Sequence, residues 1–332
     1  MSLPPWIAAQ ARRLLGQRGH AFLLHGPSGL GQYGLALALA RTWLCESPSE
    51  EGACGQCTSC HAIDVRTHAD LQVLMPETAM EALGWPLSEK AQKEIDDKKR
   101  KASREIRVEA MRDAIEFAQR TSGRGRGKVV LVYPAERMNH VTANALLKTL
   151  EEPPGDVRFV LASEAAHLLL PTIRSRCLGH AMDWPAPEDA LAWLVQQGIA
   201  PADAPVLLRA GGGRPEEAVR LAQAGYTARQ WSQLPKALAR GDVAALGDCT
   251  PAQALDVLQK VCHDVVAARA GAPPRFFAAA DLPAGGGLEP LTAWWKELAQ
   301  AQKTAEHPFK PELMLESLVS RARAALHSGG SR

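Results

Sequence analysis

Two short apolar runs, Val129 to Val132 and Phe159 to Ala162, flank a single helical stretch, and this arrangement restricts the fold more than any other feature of the chain. Each run is β-branched or aromatic and is bounded by proline or charge, so each reads as a parallel strand buried on both faces. Between them, Leu146-Leu147-Lys148-Thr149-Leu150-Glu151-Glu152-Pro153-Pro154 reads as the end of a helix. Leu147 and Leu150 share one face, Glu151 and Glu152 stay in water, and two prolines stop it. Strand, helix, strand is the unit from which a parallel sheet is built. The expected class is α/β.

Upstream, His20 to His25 reads as a buried strand running into Gly26-Pro27-Ser28-Gly29-Leu30-Gly31-Gln32-Tyr33, with an Ala/Leu helix over Gly34 to Leu44. A strand, a glycine-rich turn and a helix place backbone N–H groups and a helix N-terminus around a phosphate. The pattern G-x-x-x-x-G-K-[ST] keeps its glycines at Gly26 and Gly31. Gln32, however, stands where a lysine reaches the β/γ-phosphates, and Tyr33 where a hydroxyl holds magnesium. Val129 to Val132 occupies the place of a strand that ends in magnesium-holding acids, yet it runs into Tyr133-Pro134. The expectation is a degenerate loop (Gly26, Gly29, Gly31, Gln32, Tyr33) with no ATP hydrolysis. Gly29, Gly31 and Gly34 also spell G-x-G-x-x-G. A dinucleotide site would want its first glycine directly after the strand and an acid about 20 residues on, where this chain has cysteines.

Cys45, Cys54, Cys57 and Cys60 supply four thiols at short spacing, which matches a closed tetrahedral zinc site of the structural kind. Cys57-Thr58-Ser59-Cys60-His61 is formally a haem-attachment string, but that chemistry needs export and leaves two cysteines unexplained. As an iron–sulfur run, the next ligand would fall at Asp64. The formal charge of the 332 residues is only +2, so any nucleic-acid contact needs a local patch. Lys98 to Lys101, inside the polar stretch 77–105, and the loop Gly123 to Lys128 are the candidates, although a solvated helix and a plain connection explain them as well. No basic, apolar leader and no run approaching a membrane span are present, which predicts a cytoplasmic chain without membrane contact.

From Asp183 strand-like runs stop, and Pro185 and Pro187 mark a linker. Short helices follow over Glu188 to Gln197 and Pro205 to Arg209, then another through Leu221. The remainder is Ala/Leu/Gln-rich and helical, with Trp294 and Trp295 and a last apolar pattern at Leu313, Leu315, Leu318 and Val319.

Asn144 to Pro154, together with Ser175-Arg176-Cys177, resembles the clamp-loader ATPases of the AAA+ class, and the added cysteine knuckle is similar to that of the bacterial DNA polymerase III loader subunits. The resemblance implies a RecA-like parallel sheet with a zinc module at 45–60 in domain 1–182. A helical lid over 183–228 and an all-α collar over 229–332 follow. It implies a non-hydrolysing stator of a five-membered ring containing ATP-binding tau/gamma subunits and a delta subunit. That ring opens the sliding clamp and places it on primed DNA during replication, as part of the DNA-directed DNA polymerase assembly. Arg176 takes the place of the family's arginine finger, offered in trans to a neighbour's ATP site. Ser163 stands at the family's sensor-1 threonine and Glu216 at its sensor-2 arginine. Two alternatives remain: an active AAA+ ATPase with an unusual loop, and a zinc-dependent DNA-binding protein that uses the basic stretches.

Overall fold

Five strands pair in parallel, in the order β2-β3-β4-β1-β5, in the computed structural model, which describes residues 3–302 and 310–327. They are β1 (Ala21–His25), β2 (Leu71–Leu74), β3 (Lys128–Val132), β4 (Val157–Ser163) and β5 (Leu178–Ala181). Every residue of the interior strand β3 is buried, which is why its sequence shows no polar alternation. At the edge next to β1, only His180 of the four β5 residues is buried. That strand carries no apolar run, and the sequence reading does not anticipate it.

The chain divides into two compact units, Met1–Trp184 and Pro185–Arg332. In the first, the helices are α1 (Pro5–Leu15), α2 (Gln32–Leu44), α3 (Thr58–Asp64), α4 (Glu77–Ala82), α5 (Glu89–Asp96), α6 (Val108–Gln119), α7 (His140–Glu151) and α8 (Pro171–Arg174). The helix α2 starts two residues before Gly34, because Gly31 at φ 93° ends the loop in the left-handed region and releases Gln32 into the helix. The polar stretch 77–105 is not featureless, since it folds as α4 and α5.

The crossover helix α7 buries Thr142, Ala143, Leu146, Thr149 and Leu150. Its packed face is therefore centred nearer Leu146 than Leu147, which is half-buried. Asn139 caps the start by accepting the Thr142 N–H at 3.0 Å. At the other end His20 Nε2 donates to the Leu150 carbonyl at 2.8 Å, and Pro153 forbids another turn.

Strand direction sorts the candidate residues into two sets. The glycine loop follows β1, Tyr133 follows β3 and Ser163 ends β4, so all three lie at carboxyl ends of strands. Glu151 precedes β4 and Arg176 precedes β5, which places them at amino ends.

The second unit is helical: α9 (Pro187–Gln196), α10 (Ala204–Ala210), α11 (Pro215–Gln223), α12 (Ala228–Arg240), α13 (Pro251–Arg269), α14 (Leu288–Gln302) and α15 (Pro311–His327). Its core includes Trp231 stacked on Phe277 at 4.8 Å and edge-on to Tyr226 at 5.4 Å. Residues from both sides of position 228 share this core. Trp294 is buried within it, whereas Trp295 is exposed. Among the described residues no helix is long and apolar enough to cross a membrane.

Candidate functional site

The glycine loop begins at Gly26, where a side chain would meet Met182 Cβ at 3.0 Å, and ends at the left-handed Gly31. A side chain at Gly26 would crowd Met182, and the positive φ at Gly31 favours glycine for backbone reasons alone. The next residue, Gln32, is buried, and its amide nitrogen donates to the carbonyls of Gly26 and Pro27, both at 2.8 Å. The side chain at the lysine position thus turns onto the loop's own acceptors, and it brings no positive charge. Tyr33, at the position of the magnesium-holding hydroxyl, accepts the indole N–H of Trp85 at 2.7 Å, and burial pushes its hydroxyl pKa up. Its ring lies 5.4 Å from that of Tyr133, which in turn donates to Glu164 at 2.8 Å. Arg66 stacks 4.5 Å above Trp85. An aromatic cluster therefore joins the positions that would carry phosphate and metal chemistry. Trp85 comes from the segment between α4 and α5, for which the sequence offers no role.

Ser163 is fully buried at the end of β4, and its Oγ accepts the Ala165 N–H at 3.2 Å. In the second unit, Glu216 lies in the first turn of α11.

Arg176 sits between α8 and β5. Its Nε donates to Glu151 at 2.6 Å, Nη2 donates to the same carboxylate oxygen, and Nη1 donates to the Thr172 carbonyl at 2.9 Å. Sequence reasoning left Glu151 as a solvated residue at a helix end. Exposed it is, but it is also the partner of Arg176. Because β1 and β5 are parallel, with Leu178 beside Phe22, Arg176 and the glycine loop lie at opposite ends of these strands. Four residue steps separate Phe22 from Gly26, about 13 Å along the strand. The arginine faces away from its own loop.

The four cysteines converge. Cys45 follows α2, Cys57 caps α3 and Cys60 lies in its first turn, so the knuckle is part loop and part helix. All four Sγ atoms lie within 4.8 Å of one another, with Cys45 and Cys57 3.8 Å apart and Cys54 and Cys60 4.0 Å apart. Four sulfurs at about 2.3 Å from a tetrahedral zinc would be about 3.8 Å apart. The donor set fits such an ion. Although burial opposes it, the backbone N–H groups of Glu46 and Cys60 hold the Cys57 thiol down to about 6, while burial pushes Cys60 up to about 12. Glu46 braces the knuckle by accepting from Thr58 Oγ1 at 2.5 Å and from the Ser59 N–H at 3.1 Å. Asp64, the further ligand of an iron–sulfur arrangement, instead pairs with Arg41 at 2.8 Å.

These features can be set beside known proteins. Residues 10–183 match the family model described as DNA polymerase III, delta subunit. The DNA polymerase III subunit delta' of Yersinia pestis is 33% identical over 280 residues, which cover 81% of this chain and 73% of that protein. The chain belongs to the delta-prime subunit family of DNA polymerase III. Its Pseudomonas aeruginosa relative is 40% identical over 65% of this chain. The match spans 60% of the length of the Pseudomonas aeruginosa and Escherichia coli delta-prime proteins. A DNA polymerase III subunit tau of Salmonella typhimurium is 35% identical over 49% of this chain. A solved structure of a gamma subunit-related protein from Thermotoga maritima has a TM-score of 0.51 and 16% identity, and covers 97% of this chain and 100% of its own. That likeness establishes the AAA+-like fold.

Within this chain several residues of the basic stretches are engaged in internal pairs. Arg100 pairs with Glu77 at 2.5 Å and with Glu94 at 2.7 Å, and Lys99 pairs with Asp97 at 3.0 Å. Lys128 is buried 3.8 Å above the Phe117 ring and 3.7 Å from Asp70. Arg124 reaches back to Glu46 at 3.2 Å. The carboxylate of Asp70 accepts the N–H groups of Gly123 at 2.7 Å and Arg124 at 2.9 Å, which fixes the root of the loop.

Proposed function

We propose that this chain is a non-hydrolysing subunit of the DNA polymerase III clamp loader and supplies Arg176 in trans to the ATP site of a neighbouring subunit. The observation that carries the reading is a pairing of opposites. Gln32 is folded into its own loop, while Arg176 lies at the far end of the strands. A guanidinium needs no phosphate loop of its own to stabilise charge on a phosphoryl group bound elsewhere. The loop Gly26, Gly29, Gly31, Gln32 and Tyr33 is, on this reading, a retained fold without hydrolysis.

The partners are ATP-binding tau/gamma subunits and a delta subunit in a ring of five, acting on the sliding clamp and primed DNA in the cytoplasm. The likeness to tau and gamma relatives supports a shared assembly. Residues 183–228 serve as a lid and 229–332 as the collar that joins the ring. Zinc held by Cys45, Cys54, Cys57 and Cys60 stabilises the fold and takes no part in hydrolysis.

The test is ATP turnover by the isolated chain and by the complex reconstituted with tau/gamma and delta subunits. The isolated chain is expected to be inactive, and Arg176→Ala to slow the complex without dispersing it on gel filtration. Normal turnover in the variant complex would overturn the assignment.

A further inference from the structure

A guanidinium carries five N–H donors in one plane, and which of them are occupied determines what the group can still bind. In Arg176 the edge formed by Nε and Nη2 goes to one oxygen of Glu151, with Nε at 2.6 Å. Nη1 donates to the Thr172 carbonyl at 2.9 Å and lies 3.4 Å from Ser175 Oγ. The second Nη2 hydrogen, at the tip, has no partner among the described residues, and 31% of the side chain is exposed. We infer that Glu151 is a positioning residue, which holds Arg176 by its Nε edge and leaves the tip directed at an incoming phosphoryl oxygen.

The inference rests on the reading of Arg176 given above and adds a second residue to it. Three observations point to positioning rather than to a lock. A lock would take the tip itself, both carboxylate oxygens meeting both Nη atoms; here a single oxygen takes the side edge. The carboxylate also stands on firm ground. Glu151 is the last residue of α7, whose Leu146 and Leu150 are buried and whose end is tied by His20 to the Leu150 carbonyl at 2.8 Å. Finally, a carboxylate in the last turn of a helix opposes the helix dipole, so Glu151 does not serve α7 itself. An arginine already fixed in direction loses less freedom when it engages a phosphate than one that must first be ordered.

The experiment uses the reconstituted complex with ATP, comparing Glu151→Ala, Glu151→Gln, Arg176→Ala and the double alanine variant. Glu151→Ala is expected to lower kcat about tenfold with KM for ATP unchanged. Glu151→Gln keeps an acceptor of the same shape and is expected to lose about threefold. Because Glu151 acts through Arg176, the double variant is expected to match Arg176→Ala alone. Losses that multiply in the double variant would make Glu151 merely structural and overturn the inference. So would normal or faster turnover of Glu151→Ala beside a slow Arg176→Ala, which leaves the arginine reading intact. Normal turnover of Arg176→Ala would remove both.

Discussion

At the carboxyl ends of β1, β3 and β4 polar side chains are turned onto loop carbonyls or onto one another, whereas at the amino ends of β4 and β5 a part-exposed guanidinium is held by its Nε edge. In open parallel sheets the carboxyl ends are where ligands ordinarily bind. In this chain Gln32 satisfies loop carbonyls there, Tyr33 is taken by Trp85, and Tyr133 reaches Glu164. The amino ends have been built up instead. The helix α2 returns the chain to that end and delivers the cysteine knuckle. Asp70 and Arg124 brace the loop before β3, and Glu151 holds Arg176. On the proposed reading, a nucleotide fold has lost its own chemistry and keeps a role because the opposite end of its sheet serves another site.

The largest effect that can break this comparison lies at Arg176. In the reconstituted complex, Arg176→Ala is expected to slow single-turnover hydrolysis at the receiving site by about 10³-fold, with the subunits still co-eluting. An unchanged rate would leave the amino end without chemistry. Next in size is the knuckle. Elemental analysis is expected to find about one zinc per chain, and Cys60→Ser to lose it together with about 10 °C of Tm. Retention of metal by that variant would contradict the four-thiolate site.

Asp70→Asn sharpens the comparison further, because it replaces an acceptor facing two backbone N–H groups with an amide that clashes with one of them. Although burial opposes ionisation, the N–H groups of Gly123 and Arg124 hold the Asp70 carboxyl below its ordinary range. Its contribution is therefore fully present above the unfolded value near 4, and is lost as pH falls through the lower folded value. Denaturant unfolding is expected to find the variant about 2 kcal/mol less stable at pH 7, with the gap closing in acid. A gap that is constant with pH would rule out the carboxylate as its source.

The smallest effect belongs to the filled end. Gln32→Ala removes the donor from two carbonyls and is expected to cost about 1 kcal/mol. Restoring the sequence pattern with Gln32→Lys and Tyr33→Thr is expected to give the isolated chain no ATP turnover. Tyr133 still stands where the acids belong. Measurable hydrolysis by that pair would show that the carboxyl end had kept more than its outline.

The features legible in the amino-acid string were those fixed by near neighbours. An apolar run buried on both faces announces its strand, so β1, β3 and β4 were readable, while the edge strand Leu178-Gly179-His180-Ala181 was not. Four cysteines within 16 residues announce their convergence, and a missing lysine announces itself by position. Pairings between distant residues leave no such trace. Glu151 meets Arg176 across 25 residues, Trp85 meets Tyr33 across 52, and Arg124 meets Glu46 across 78. Local periodicity decides which face of a segment is apolar. Which polar group meets which is decided only when the sheet closes and water is excluded between the partners, and it is there that Lys128 became a buried cation and Glu151 the holder of an arginine.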